Sequence, residues 1–468
     1  MSHYDRMDQN AWWSTVALEG WSDRPGPRYR RLADAIEGAV DGGLLAAGQR
    51  VPAERVLADL LGVSRGTVVR AFDESVAAGI LGRLHGSGTF VRARPRRMSR
   101  PPAPVDEPDP DLIDLSLAGP PSPDHLPVTT VDVATAPLDA AADPVGLRAL
   151  REALARRLGD RLGVPTTPEQ LLITAGTSES LTLLRDGLGL HARDVLAGCP
   201  AGRAVVRACD RWDARVIPVS TDAFGIDVTA VQRLQRRVPE PVLLLSATTG
   251  PRAVPLTDPR RRRLAQLLGT GPAIAVEEVS ETAWLSADSG DGAPLSALSD
   301  QVVAVGDLDR LFWAGLGIGW VRIPDGLRAS FTAPAGFRPP GVASQLLAAR
   351  LLAAAEPAWF ADRRARCRHD GHLLSGLLAA ELPAWIPEAT AAGPGLWVRL
   401  PVPETTTFSH VARRFGVVVS PGAGYCLDGA HHDAIWLSGW ADEAVLRRAV
   451  DALAEAWRAY TQRVAATV

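Results

Sequence analysis

Apolar positions in the first hundred residues follow a helical period and then a strand-like one. Residues 28–40 repeat apolar side chains every three or four positions before two glycines, which predicts a helix that ends there. Two more helices are predicted at 53–61 and 65–78, each followed by a glycine suited to a helix C-terminus. Short apolar runs at 80–84 and 89–92 flank a glycine-rich turn and predict a hairpin.

Three helices followed by a small hairpin predict a winged helix-turn-helix. In such a fold the first residues of the third helix enter the major groove of DNA, where an arginine can grip guanine with two hydrogen bonds. Arg65 is the candidate for this contact, and Ser64 directly before it is a good N-cap. The further DNA-binding candidates are Ser64 and Thr67 for phosphate, Arg55 and Arg70 for the DNA backbone, and Gly88 for the approach of the hairpin tip to the minor groove. The alternative is that the arginines form a solvated helix face.

From residue 111 onwards, strand-like runs alternate with helical ones, which predicts an α/β domain with a largely parallel sheet. Residues 143–159 are predicted as an amphipathic helix, and 171–184 as a strand, a glycine turn and a helix. Further strands are predicted at 241–246, 273–279, 301–307 and 319–324, and long helices at 359–382 and 442–463.

These patterns divide the chain. Residues 1–25 are interpreted as an N-terminal arm whose Trp12 and Trp13 either pack on a partner subunit or belong to a poorly ordered tail. The proline-rich stretch 93–110 is low in apolar residues and is predicted to be an extended linker. The expected domains are 26–92 for the winged helix and 111–468 for the α/β domain, with a large lobe at about 130–345 and a small α+β lobe at about 346–468.

Composition fits a soluble protein with two or three cores. The chain has 468 residues, 46% of them apolar, and a net charge of only −3, so its charge demands neither a nucleic-acid nor a membrane partner. No apolar run reaches the length of a membrane span, and the four cysteines lack metal-like or disulfide-like spacing, so we expect a cytoplasmic protein. Lysine is absent, and all 50 basic residues are arginine, which indicates compositional drift.

The segment from Gly306 to Trp320 lies between two of the predicted strands. It resembles the lysine loop of pyridoxal-phosphate (PLP) enzymes of aminotransferase fold type I, as carried by the MocR branch of the GntR regulators, where the pattern reads G-[ST]-x-S-K-x-x-x-P-G-x-R-x-G. The family's lysine falls on Arg310, its two hydroxyl residues fall on Asp307 and Asp309, and its phosphate-binding arginine falls on Gly317.

The resemblance extends over most of the chain. Residues 29–91, with the strings VSRGTVVRAF and GSGTFV, resemble the GntR-type DNA-binding domain, and 111–468 resemble a fold type I aminotransferase domain in order. Fold type I proteins pair through their large domains, so the resemblance implies a homodimer, and a two-fold protein favours a palindromic or repeated operator in double-stranded DNA.

Other parts of the family's cofactor pocket are altered. The glycine turn Gly176-Thr177-Ser178 survives and could still hold an anion at a helix N-terminus, although packing explains such a turn as often. By alignment with the family, the acid that pairs with the pyridine nitrogen falls on Glu277 and its tyrosine partner on Val279. The arginine that grips a substrate carboxylate falls on Trp436.

Drift explains the change from lysine to arginine but not the other losses. An arginine stays protonated and cannot form the Schiff base, and Asp307 and Asp309 would repel phosphate while one of them bridges to Arg310. We therefore expect a DNA-binding transcription regulator, not an enzyme, without PLP as cofactor, whose aminotransferase-like domain serves as dimer scaffold and possible sensor of a small-molecule effector. The alternative is a PLP-binding MocR regulator or a PLP-dependent aminotransferase.

Overall fold

The fold is taken from a computed structural model. It describes residues 13, 18, 20–23, 26–41, 45, 51–77, 80–84, 88–91, 112–131, 143–191, 193–212, 214–246, 248–252, 254–270, 273–287, 293–388, 395–427 and 431–467. Contacts divide the chain into two units, one within Met1–Pro101 and one formed by 102–427 together with 431–468. The predicted linker at 93–110 lies outside the described residues. Within the described part of the chain, none of the helices combines the length and apolarity needed to cross a membrane.

The first unit is a winged helix-turn-helix, as the sequence predicts. Its elements are α1 Arg28–Asp41, α2 Glu54–Leu61, α3 Arg65–Ala77, β1 Leu81–Leu84 and β2 Gly88–Val91. The apolar stripe of α1 packs on the inner face of α3, where Leu32, Ile36, Val68 and Phe72 are fully buried. The two strands pair antiparallel as the predicted hairpin.

Trp13 corrects the interpretation of residues 1–25 as a separate arm. Its side chain is only 2% exposed and belongs to the same apolar core as Leu32 and Phe72. The backbone N–H of Leu18 donates to the carbonyl of Trp13, and Leu18 is buried in that core as well. The indole thus completes the small core of the winged helix, and a fold of this size gains much from one large buried ring. Trp12 lies outside the described residues.

The second unit begins with a large α/β lobe. Its elements in chain order are β3 Ile113–Asp114, α4 Arg148–Leu162, β4 Leu171–Thr174, α5 Thr177–Gly187, β5 Val195–Cys199, α6 Arg203–Arg211, β6 Val216–Asp222, β7 Gly225–Ile226, α7 Val228–Gln235, β8 Val242–Ser246, β9 Thr248–Thr249, β10 Val254–Pro255, α8 Asp258–Thr270, β11 Ile274–Glu278, α9 Glu281–Ser286, β12 Val302–Asp307, β13 Gly319–Arg322, α10 Asp325–Arg328 and α11 Val342–Ala354.

Eight of these strands form one sheet in the order β4-β13-β12-β11-β8-β5-β6-β7. The five strands β12, β11, β8, β5 and β6 run parallel, and β13 runs antiparallel to both of its neighbours. Helices cover both faces, which explains why these strands read as continuous apolar runs. The carboxyl ends of β11 and β12 lie side by side, and open α/β sheets bind their ligands at such an edge.

The chain ends in a smaller α+β lobe. Its elements are α12 Pro357–Glu381, β14 Ile386–Glu388, β15 Leu396–Arg399, α13 Thr406–Arg414, β16 Val417–Val418, β17 Ser420–Pro421, β18 Ala434–Leu437 and α14 Glu443–Thr467. Strands β14, β15, β18 and β17 form an antiparallel sheet in that order, and α12, α13 and α14 pack against its apolar side. The separate pairing of β16 with β3 ties the start of this unit to the small lobe.

The helix predicted at 143–159 begins five residues later than the sequence pattern indicates. Gly146 has a φ of +104°, which a right-handed helix cannot accommodate, and the Asp143 carboxylate accepts from the backbone N–H of Val145 at 3.1 Å. Arg151 then donates to the Gly146 carbonyl at 2.9 Å and to Asp143 at 2.7 Å. These contacts stabilise a turn, and α4 starts only after it.

Candidate functional site

The recognition helix α3 begins at Arg65, directly after Ser64, as the sequence predicts. The Ser64 hydroxyl accepts from the backbone N–H of Thr67 at 3.2 Å and shares a hydrogen bond of 2.8 Å with the Thr67 hydroxyl. Ser64 is therefore the N-cap of the helix, because its side-chain oxygen accepts from the N–H of the third helical residue. Both hydroxyls already have one partner, and Ser64 is exposed.

Arg65, the first residue of α3, is accessible to a partner, since its side chain is 71% exposed. One amino group of its guanidinium, Nη2, donates to Oε2 of Glu54 at 3.3 Å. Arg55, directly after Glu54 at the start of α2, is exposed as well. The two predicted arginines at the starts of α2 and α3 thus both face solvent.

Arg70 has a partner that the sequence did not indicate. Its guanidinium carbon lies 4.1 Å from the centre of the Tyr29 ring on α1, which is the geometry of a cation–π contact. Arg70 therefore links α3 to α1 within the fold in addition to being exposed. Gly88 starts β2 and pairs with Leu84 at the end of the hairpin.

In the second unit, the loop predicted as the altered lysine loop joins β12 to β13. Asp307 is the last residue of β12, and the backbone N–H of Leu308 donates to the Ile318 carbonyl at 2.8 Å across the loop. The Asp309 carboxylate accepts from the backbone N–H of Ile318 at 3.1 Å. Gly317 has a φ of +67°, a left-handed conformation that favours glycine. These contacts hold the loop closed on itself.

The Arg310 guanidinium lies among three carboxylates. Its Nη2 is 2.5 Å from Oε1 of Glu278 and 3.2 Å from Oδ2 of Asp307, and its Nε is 3.6 Å from Oε2 of Glu281. The predicted bridge between Arg310 and a loop aspartate is confirmed, and Asp307 is the aspartate that forms it. Only about a fifth of the Arg310 side chain is exposed, so these ion pairs are shielded from water.

Charge and burial act against each other in this cluster. Burial favours the neutral acid, but Arg310 and the hydrogen bond from Thr177 outweigh it and hold the pKa of Asp307 below its usual range. Burial of Glu281 dominates over the attraction of Arg310 and raises the pKa of that carboxyl. Burial also raises the pKa of Asp309 to about 7, helped by repulsion from Asp307. Burial lowers the pKa of Arg310, but the charges of Asp307, Glu278 and Glu281 outweigh it and raise that pKa above its usual value.

The glycine turn before α5 lies against this loop. Gly176 has a φ of +125°, and a Cβ at Gly319 of β13 would lie 2.5 Å from the Gly176 Cα, so both positions require glycine. The Thr177 hydroxyl donates to Oδ2 of Asp307 at 2.6 Å. Ser178 is half-buried, and its carbonyl accepts from the Thr182 hydroxyl at 3.0 Å, one turn further along the helix. A carboxylate of the chain itself therefore meets the helix N-terminus that was predicted to hold an anion.

Glu278 is the acid beside Arg310, whereas Glu277, the residue aligned with the family's pyridine-nitrogen acid, is turned away from it. The Glu277 side chain is fully buried, accepts from the backbone N–H groups of Leu295 and Ser296 at 2.6 and 2.9 Å, and accepts from the Ser296 hydroxyl at 3.0 Å. Burial raises the pKa of Glu277 to about 7. Neighbouring side chains of a strand point to opposite faces, so Glu277 and Glu278 have different partners.

Val279 and Trp436 are packed rather than presented to a ligand. Val279 is 1% exposed within the core that includes Trp284 and Trp320. Trp436 is 9% exposed and packs with the buried Trp397 and Tyr425 of the small lobe. A Cβ at Gly395 would lie 2.4 Å from the Trp436 ring, so the ring fits closely against that glycine. An apolar ring thus fills the position that aligns with the family's substrate-binding arginine.

A small cavity adjoins Glu278. Its lining includes Gly198, Ala201, Gly202 and Ser246 from the strand ends next to β11. The centre of a water-sized molecule can occupy about 30 Å³ of it. Since one water needs roughly 10–15 Å³ by the same measure, the cavity holds a few waters at most, which is far less than a substituted pyridine ring requires.

Among the residues that the structure describes, the histidine pair at 431–432 takes part in no metal-binding cluster. His431 packs edge-on against the Trp397 ring with centroids 6.0 Å apart. Across the described residues, no group of three or more histidine, cysteine, aspartate or glutamate side chains is placed to hold a metal ion. All four cysteines are described, and no two of them form a disulfide.

Comparison with known proteins shows which family the first unit matches and which regulators the chain resembles. Residues 28–91 match the family model of bacterial regulatory proteins, gntR family. The chain is 31% identical to the HTH-type pyridoxine biosynthesis transcriptional regulator PdxR of Corynebacterium glutamicum over 42% of this chain and 45% of that one. It is 25% identical to the HTH-type transcriptional regulator YisV of Bacillus subtilis, whose function is uncharacterized, over 92% of this chain and 96% of that regulator.

The second unit resembles solved aminotransferases in fold. The structure of a kynurenine aminotransferase from Pyrococcus horikoshii covers 75% of this chain and 91% of its own, with a TM-score of 0.63 and 21% identity. This likeness concerns the fold and not the chemistry of the site. The chain thus has the architecture of the MocR-type GntR proteins, with a gntR-family DNA-binding domain followed by a domain of aminotransferase fold type I.

Proposed function

We propose that this protein is a sequence-specific DNA-binding transcription regulator whose aminotransferase-like domain works without PLP. The DNA-binding part is supported by the gntR-family match over residues 28–91 and by relatives named as HTH-type transcriptional regulators. It is also supported by Arg65 and Arg55, which are exposed at the starts of two helices of the helix-turn-helix. Arg65 reads a base and Arg55 holds the DNA backbone.

The observation that carries the second part of the proposal is the set of ion pairs around Arg310. A Schiff base needs a lysine amine, whereas this position holds a guanidinium that Glu278 and Asp307 fix at 2.5 and 3.2 Å. The chain contains no lysine at any position, so no other lysine could substitute. The ion pairs also give the side chain at position 310 a structural role, in place of the Schiff-base chemistry of the family's lysine.

The residues at the phosphate end do not fit PLP either. Its phosphate is dianionic, and it would meet the Asp307 carboxylate, whose pKa is held below its usual range, and a glycine, Gly317, where the family has an arginine. Asp309, whose pKa is raised to about 7, offers no positive charge in compensation. Asp307 already accepts the hydroxyl of Thr177. Two like charges about 4 Å apart near a protein surface repel by roughly 4 kcal/mol before screening, so the loop disfavours a bound phosphate.

With the cofactor lost, the large domain is proposed to act as a dimer scaffold and as a sensor for a small-molecule effector. The aminotransferase fold supports the first role, because proteins with this fold pair through their large domains. A symmetric dimer would read two half-sites of a palindromic or repeated operator. The mass of the protein in solution, measured by sedimentation, should correspond to two chains, and a mass of one chain would contradict the scaffold.

The DNA-binding proposal is tested by selection from a pool of randomised duplexes with the purified full-length chain. We expect enrichment of one motif in two copies and unchanged affinity for it when PLP is added. A pool that stays random after several rounds would contradict sequence-specific binding. Affinity that changes with PLP would contradict the proposed independence from the cofactor.

A PLP-responsive regulator or a PLP-dependent aminotransferase is the second candidate. The aminotransferase fold and the preserved turn at Gly176 favour it. It requires a PLP adduct, which would give the purified protein a yellow colour that borohydride removes. The absence of such absorbance with PLP in excess, together with unchanged thermal stability, is the result that the main proposal expects.

An effector that is not PLP should instead raise the melting temperature, by an amount equivalent to about 2.7 kcal/mol at 100 times its dissociation constant.

A further inference from the structure

Glu54 lies where it can control the main predicted base contact. It is the first residue of α2, and Arg65 is the first residue of α3, so the turn of the helix-turn-helix brings the two helix starts together. The Glu54 side chain is 24% exposed, whereas that of Arg65 is 71% exposed. The Oε2 atom of Glu54 accepts from Nη2 of Arg65 at 3.3 Å. A partly buried carboxylate thus holds one corner of an exposed guanidinium.

We propose that Glu54 is a positioning residue for Arg65 and thereby determines how strongly the protein discriminates between sequences. A free arginine side chain samples many rotamers, and ordering it on DNA costs conformational entropy. A carboxylate that holds the guanidinium in one orientation removes part of that cost before DNA arrives. The proposal rests on the proposed DNA-binding function.

The geometry leaves the arginine able to read a base. A guanidinium carries five N–H donors, and the contact with Glu54 occupies one of them. Four donors remain, and a guanine needs only two of them for its O6 and N7 acceptors. Nothing about the contact therefore has to break when Arg65 enters the major groove.

The negative charge of Glu54 has a second consequence. Glu54 directly precedes Arg55 in the chain and contacts Arg65, and both arginines face solvent, so its charge offsets part of their attraction for phosphate. Attraction to phosphate is the same for every sequence, so it adds affinity without discrimination. Removal of the charge should therefore strengthen binding to random DNA while weakening the preference for the correct sequence. A merely structural role would not move these two quantities in opposite directions.

The test compares Glu54→Gln with Asp59→Asn in the full-length chain. Asp59 is an exposed carboxylate on the same helix, so its substitution removes the same charge without touching Arg65. Each variant is titrated with two duplexes: one selected from a randomised pool by the wild-type protein, and one of the same length and composition with the sequence shuffled. The discrimination ratio is the affinity for the first duplex divided by the affinity for the second.

We expect Glu54→Gln to lower the discrimination ratio about fivefold, the limit for an exposed ion pair, and to raise the affinity for the shuffled duplex. Asp59→Asn should leave the ratio unchanged. In an Arg65→Ala background, Glu54→Gln should no longer change the ratio, because the residue that it positions is gone. Circular dichroism melting identifies a variant that fails to fold, and Glu54→Asp, which keeps the charge but is one methylene shorter, then takes its place with a smaller expected loss.

An unchanged ratio for a folded Glu54→Gln, or an equal loss in the Arg65→Ala background, would overturn the positioning role. These results differ from a failure of the proposed function, in which the wild-type chain itself selects no sequence.

Discussion

The two arginines that matter most in this protein lie in opposite environments. Arg65 in the winged helix has a side chain that is 71% exposed and one long contact with Glu54. Arg310 in the aminotransferase-like domain has a side chain that is 21% exposed and lies among Glu278, Asp307 and Glu281. One domain presents its charge to a partner, and the other uses its charge internally.

On the proposal that the large domain works without PLP, this difference indicates which parts of a fold depend on a ligand. In the DNA-binding domain the functional side chains project from a small core and remain available. In the large domain the turn at Gly176, the loop after β12 and the sheet beneath them are kept, while the side chains at the site bond to one another. A fold can outlast its chemistry because the core and the turn glycines determine the backbone, whereas only the ligand requires particular side chains at the site.

The largest expected effect comes from removing the central charge of the inner cluster. Arg310→Ala leaves Glu278 and Asp307 buried without a cation, and loss of one partner of a buried pair costs about 3–5 kcal/mol in the free energy of unfolding. Urea unfolding measures this loss. The matched control is Arg328→Ala, which breaks an exposed pair with Asp325 and should cost less than about 1 kcal/mol. Similar losses for the two variants would mean that the Arg310 cluster is not structural.

The second-largest expected effect concerns how the exposed arginines of the winged helix bind DNA. Arg65→Ala should reduce the preference for the selected sequence by roughly 1–3 kcal/mol because a base contact is lost. Arg55→Ala should weaken binding to all sequences alike and reduce the dependence of affinity on salt, because it removes a phosphate contact. Titration of specific and shuffled duplexes at two salt concentrations checks both. Equal losses on the two duplexes for Arg65→Ala would remove its assigned role.

The smallest effect concerns pH. The pKa of Asp309 is raised to about 7 in the folded protein, compared with about 3.9 in an unfolded chain. The folded state therefore binds a proton more tightly, so the stabilisation from Asp309 is fully present below about pH 4 and is lost as the pH rises through 7. Asp309→Asn, whose amide oxygen can still accept from Ile318, should be more stable than wild type by about 1 kcal/mol at pH 8, allowing for the partial exposure of the group. The two proteins should converge near pH 4 in denaturant titrations. A difference that does not change with pH would contradict this account.

Much of this arrangement was predictable from local sequence. The N-cap at Ser64, the recognition helix after it and the bridge between Asp307 and Arg310 follow from residue types at short spacing. Short-range patterns determine caps and turns because the interacting groups are only a few residues apart. The glycine turn before α5 was predictable for the same reason.

The features that the sequence did not indicate lie where distant parts of the chain meet. The burial of Trp13 in the winged-helix core depends on packing that no periodicity reveals. The choice of Glu278 over Glu277 depends on which face of β11 turns towards the loop after β12, and one position in a strand reverses that face. The part played by Glu281 depends on α9 lying beside the same loop.

The central claim is that the whole cofactor pocket has been replaced, and not only its lysine. It is tested most directly by restoring the lysine alone, in the variant Arg310→Lys, and measuring visible absorbance with excess PLP before and after borohydride. Wild type carries the same N-terminal amine and serves as the control, and circular dichroism checks that the variant is folded. The account predicts no adduct beyond that of wild type, because Asp307 still repels the phosphate and neither Asp309 nor Gly317 supplies a positive charge. A yellow, borohydride-reducible adduct formed by Arg310→Lys with micromolar PLP would contradict it.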